Sequence, residues 1–126
     1  MASKEDLEQK VNGLKEKLRV NNSSIQRGGI QSFVNVIKGE KRSDGEAPKS
    51  YSILIDECLM HPSPLVVEAS LQGIECLVKE KIIPMETAID TLVNNYESIP
   101  SVCIELVLRM IIKFLQSNNT DYPSDM

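Results

Sequence analysis

Apolar residues in this chain recur at helical spacing almost from end to end, and no stretch keeps the two-residue alternation of a strand. Leu7, Val11, Leu14 and Leu18 fall at steps of four, three and four, one stripe on one helix. Ser3 can cap that helix, and Glu5 and Asp6 put negative charge in the first turn, where the helix dipole favours it. Asn21-Asn22-Ser23-Ser24 breaks the pattern and can cap a second helix carrying Ile25, Ile30, Phe33, Val34 and Ile37. Gly28 and Gly29 each cost that helix about 1 kcal/mol relative to alanine. Either a neighbouring backbone comes close there or the helix kinks.

Residues 39–50 contain only Ala47 and Pro48 as non-polar side chains, which predicts a solvated, flexible connector. A short third helix is expected from about Tyr51 to Met60, ending before His61-Pro62. Ser63-Pro64 has the form of a cap followed by a first-turn proline, and the fourth helix then reads Leu65 to Lys79. Pro84 opens a fifth helix with Met85, Ala88, Ile89, Leu92 and Val93 on its apolar face. Ser98 to Ser101 re-caps a sixth, from Val102 to Leu115, and the polar residues 117–126 are expected to form a disordered tail. The reading is an all-α fold: one domain over residues 1–116, about six helices in three pairs.

Composition narrows the function. Lys+Arg is 14 and Asp+Glu is 18, a net charge of -4, which gives no electrostatic case for nucleic acid or an anionic membrane. The longest apolar stretch is shorter than the roughly 20 residues that span a bilayer, and Glu105, Arg109 and Lys113 interrupt it. No signal-peptide core is present, and the three cysteines sit in apolar runs without a C-x-x-C pair, so a cytoplasmic location and no metal or cofactor are expected. An enzyme would have to use His61, the single histidine, with Cys58 as its nearest nucleophile. Cys58 lies on the apolar stripe of its helix, so both residues read as structural and no catalytic residue is assigned.

The second helix of each pair can be laid on the others. Positions four, eight and twelve after Ile25 are Gly29, Phe33 and Ile37; after Val66 they are Ser70, Ile74 and Val78; after Val102 they are Leu106, Met110 and Phe114. Ser63-Pro-Leu-Val-Val-Glu-Ala-Ser-Leu-Gln-Gly-Ile-Glu-Cys-Leu-Val78 resembles the second helix of a HEAT repeat. HEAT repeats often place an arginine where this chain has Val67, Gln26 and Cys103, so the resemblance is to a degenerate array. The resemblance implies a HEAT/armadillo-like α-solenoid fragment; an unrelated six-helix bundle is the alternative. The order Asn22-Ser-Ser-Ile-Gln26, the loop 39–50, Leu54 with Cys58, Val66-Val67 through Leu77-Val78 and Ile99-Pro-Ser101 is similar to the amino-terminal region of the focadhesin family. That likeness implies a scaffold segment holding other proteins, associated with focal adhesions.

The sixth helix is apolar except for Glu105, Arg109 and Lys113 on one stripe, more apolar surface than one preceding hairpin covers. It therefore starts a longer array or pairs with another chain, self-association included. The functional reading is a non-catalytic protein–protein interaction module, whose concave face would be lined by Gln26, Arg27, Gln31, Glu68, Gln72, Glu75, Glu105 and Arg109. These residues carry both charges and suit a helix or extended peptide of mixed charge. The alternative is a self-contained VHS-like adaptor superhelix that binds short linear motifs.

Overall fold

The computed structural model describes residues 4–40 and 48–120, and every regular element in them is helical. α1 is Lys4–Arg19, α2 Ser23–Gly39, α3 Tyr51–Leu54, α4 Pro64–Lys79, α5 Met85–Asn95 and α6 Ile104–Thr120. Short 3-10 turns at Tyr96–Ser98 and Ser101–Cys103 link α5 to α6. Ser3, residues 41–47 of the connector and residues 121–126 of the tail lie outside the described residues.

Local chemistry sets most of the boundaries. Asn22 caps α2 by accepting the Ile25 N–H at 3.1 Å. Pro64 occupies the first turn of α4, where its missing N–H leaves no intrahelical bond unmade. Ser63 stands at the cap position without a side-chain bond; its own N–H is accepted by His61 Nδ1 at 3.0 Å. α4 ends in a Schellman-type turn, with the Ile82 N–H reaching the Leu77 carbonyl at 2.8 Å. Lys81 takes the left-handed position in that turn, at φ 61.

Three expectations change. The third helix keeps α-geometry for one turn only and continues as a π-turn, Ile55–Leu59, in which the Met60 N–H bonds to the Ile55 carbonyl. Leu54, Ile55, Cys58 and Leu59 are all buried there, against α4. The connector is not solvated throughout: Pro48 and Ser50 are buried, and Glu40 accepts the N–H groups of Lys49 and Ser50, which ties its two ends together. α6 runs to Thr120, so residues 117–120 continue a helix where a tail was expected.

α1 packs on α2, α2 on α4, and α4 on α6, so the second helices of the three pairs are neighbours in a row. The first helices are linked beside them: Lys15 of α1 pairs with Glu57 of the π-turn, and the Tyr51 hydroxyl donates to Thr91 Oγ1 of α5 at 3.1 Å. One core runs through all of them, from Leu14 and Phe33 through Leu54, Ile74 and Leu77 to Leu92, Val107 and Phe114. At α6 the sequence register is one residue off. Val102 is 70% exposed and Cys103 is 1% exposed, so Cys103 and Val107 take the fully buried positions, while Leu106 and Met110 are half-buried beside them and Phe114 is buried as expected.

The two glycines of α2 differ. A Cβ at Gly28 would meet nothing, whereas one at Gly29 would lie 3.1 Å from Lys17 Cβ, so α1 comes close to α2 at Gly29, through the Lys17 stem. The tighter contact is at Gly73, where a Cβ would lie 2.8 Å from Val34 Cγ2. That glycine sets how closely α4 lies on α2.

Candidate functional site

The row α2–α4–α6 presents two open grooves that share Gln72. Between α2 and α4, Arg27, Gln31, Asn35 and Lys38 stand over a floor that includes Ala69, Gly73 and Cys76. Between α4 and α6, Glu68, Arg109 and Lys113 flank Leu71, Leu106 and Met110. The second groove holds about 250 Å³, below the usual range of an enclosed small-molecule site, and its shape suits a side chain or a laid-on peptide.

Six of the eight residues expected to face a partner are placed on this surface with their polar ends accessible. Arg27, Gln31, Glu68, Gln72 and Arg109 line the grooves, and Glu105 pairs with Arg109 at 2.7 Å on the exposed side of α6. The other two are used inside the chain. Gln26 donates from Nε2 to the Leu18 carbonyl at 2.9 Å, which closes the end of α1. Glu75 is mostly covered and pairs with Lys113 of α6 and, more distantly, with Lys79. Asn35, Lys38, Leu106, Met110 and Lys113 belong to the surface although the sequence reading did not select them. Asn35 and Lys38 lie four and seven residues after Gln31, Leu106 and Lys113 three before and four after Arg109, and Met110 four after Leu106, the signal that would have found them.

Electrostatics on this face is local pairing. Lys38 reaches Glu80 at 2.6 Å, and the Cys76 thiol donates to the same carboxylate at 3.0 Å. The Glu80 carboxyl is held below its usual range by these two contacts, Lys38 first, and the Lys38 ammonium is held above its own. Glu80 is exposed and Lys38 half-buried, so solvent screens the pair and it contributes little to stability.

Cys58 and His61 do not form a reactive pair. Cys58 is fully buried, and desolvation, helped by Glu57, pushes its thiol up to about 12. A thiol in that setting is not an activated nucleophile. His61 uses Nδ1 on the Ser63 N–H, and no side-chain hydrogen bond joins it to Cys58. Burial, then the Glu68 charge, raises the Cys103 thiol. Among the described residues no cluster of His, Cys, Asp and Glu is placed to hold a metal ion, and no helix is long and apolar enough to cross a membrane.

Comparison with protein families, curated proteins and solved structures finds no match to this chain.

Proposed function

We propose that the chain is a non-catalytic protein–protein interaction module, a cytoplasmic HEAT/armadillo-like array of three helical hairpins. It would serve as an amino-terminal segment of a focadhesin-like scaffold. The observation that carries this reading is the row α2–α4–α6, whose exposed polar residues border two grooves joined at Gln72. Arrays of helix pairs bind along such a surface made by one helix of each pair. The apolar floor of Leu71, Leu106 and Met110 would take an apolar side chain of the partner. Glu68 at one wall and Arg27 at another would meet opposite charges, so the ligand is a helix or extended peptide of mixed charge.

The test is substitution of the face in the full chain. Glu68→Lys with Gln72→Lys should weaken capture of protein partners from a cell extract at least about tenfold, a change of about 1.4 kcal/mol. Both positions are polar and reach solvent, so the circular dichroism spectrum and melting temperature should stay as they are. Undiminished capture by the double variant would remove this face as the recognition surface.

A further inference from the structure

The three helices of the row run parallel. Val34 of α2 lies against Gly73 of α4, 39 residues on, and further along both helices Lys38 reaches Glu80, 42 residues on. Between α4 and α6, Cys103 meets the Pro64 carbonyl at 3.8 Å, and Lys113 pairs with Glu75, separations of 39 and 38 residues. Residue numbers therefore rise together on all three helices, and residues about 40 apart stand at one level across the row. Arg27, Glu68 and Leu106 make one such line, and Gln31, Gln72 and Met110 make the next, one turn on.

Most charges on this face are met by a neighbour: Lys38 by Glu80, Arg109 by Glu105, Lys113 by Glu75. Arg27 and Glu68 are different. Among the described residues neither has an ion pair, although they stand on adjacent helices at the same level. Leu106, third on the line, is half-buried beside Leu71 and Met110 in the α4–α6 groove. Across the row the surface thus offers a free cation, then a free carboxylate, then an apolar groove.

The spacing of the line selects the conformation of what lies on it. Packed helix axes are about 8–10 Å apart. A polyproline II chain has three residues per turn at about 3.1 Å each, so it turns the same face to the row about every 9 Å. In a β-strand, positions three apart point to opposite faces. A polyproline II chain also leaves its own backbone N–H and C=O groups unbonded. Gln31 and Gln72, on the next line, are exposed amides with no hydrogen bond to the described residues, and an amide can both donate to and accept from such a backbone.

We infer that the ligand of this face is an extended peptide with a fixed order of charge. An acidic residue meets Arg27, a basic residue three positions away meets Glu68, and an apolar residue just beyond the base enters the α4–α6 groove, in either chain direction. The inference rests on the recognition face proposed above and specifies the chemistry along its ligand. Exchanging acid and base in the peptide would set like charges against both residues, which works against binding.

Random peptides of about 12 residues, long enough at about 3.1 Å each to cross the row, are displayed on phage and selected on the full chain. The expected selection carries Asp or Glu three residues from Lys or Arg, with an apolar residue on the far side of the base. One such peptide is then synthesised and its dissociation constant measured by fluorescence anisotropy. Glu68→Lys should raise that constant at least about tenfold. Replacing the peptide's base with glutamate should restore binding to the variant, a rescue that an unfolded chain would not give. Arg27→Glu should be rescued in the same way by lysine at the peptide's acid, and serves if Glu68→Lys fails to fold. Absence of rescue in both variants overturns the inference. Peptides that are lost on Gln72→Lys but show no order of charge, or carry their charges about seven apart as a helix would, overturn it and leave the recognition face standing. No selected peptide at all, or peptides indifferent to Gln72→Lys, overturns both.

Discussion

Gly73→Ala is the substitution that most directly probes how this fold is held. The added methyl would lie 2.8 Å from Val34 Cγ2, against an ordinary carbon–carbon contact of about 3.5–4.0 Å. Close to 1 Å of space has to come from somewhere. Val34 is buried and β-branched, with one favoured rotamer in a helix, so it cannot swing aside cheaply. The alternative is to move α4 off α2 and loosen Phe33 and Ile37 with it. Overpacking of this kind costs about 2–3 kcal/mol, and alanine returns about 1 kcal/mol through its better helix propensity. The net expectation is a loss of about 1–2 kcal/mol, or about 4–8 °C in melting temperature for a chain of this size. Urea unfolding followed by circular dichroism measures it. Val34→Ala supplies the control, because it removes the clashing methyl at its own cavity cost. In that background Gly73→Ala should be neutral or stabilising by up to about 1 kcal/mol, a coupling of about 2 kcal/mol between two touching positions. A rise in stability on Gly73→Ala in the unaltered chain would refute the close-approach argument.

Lys81→Gly should stabilise the protein by about 0.5–1 kcal/mol, because glycine takes the left-handed turn position without the Cβ strain that Lys81 bears at φ 61; an unchanged or lower denaturation midpoint would count against that strain. Stability should also fall at alkaline pH. Burial raises the Cys58 thiol from its ordinary 9.0 to about 12, so the fold favours the protonated form. Its contribution is whole below pH 9 and is lost from there up to about pH 12, at no more than about 1.4 kcal/mol per pH unit. Tyr51 and Cys103 are raised by burial and act in the same sense. Unfolding free energies that do not fall between pH 9 and pH 11, or that fall equally in Cys58→Ala, would refute the assignment to Cys58.

The candidate face was legible in part, and the reason is visible residue by residue. Arg27, Gln31, Glu68, Gln72, Glu105 and Arg109 could be placed because polar positions at helical spacing mark a solvent stripe. Gln26 and Glu75 carry the same signature, yet one closes α1 through the Leu18 carbonyl and the other pairs with Lys113. Those partners lie 8 and 38 residues away, beyond anything a local pattern records. His61 was read as a turn residue, and its bond to the Ser63 N–H gives that turn its local chemistry.

By itself the sequence determined that the chain is helical and where most helices begin. Apolar spacing, the Asn22 cap and Pro64 act over a few residues, where backbone geometry and local hydrogen bonding decide. Only the tertiary structure decided how each helix is rotated and which residue marks a close contact. The segment is apolar over so wide an arc that Val102 and Cys103 both fit a core stripe, and the packing against α4 buries Cys103. Likewise the closest approach falls at Gly73, with a lesser one at Gly29 and none at Gly28, because helix crossing is set by the sum of many side-chain contacts. The period of a helix names the face it buries, but the neighbours choose the angle at which that face is presented.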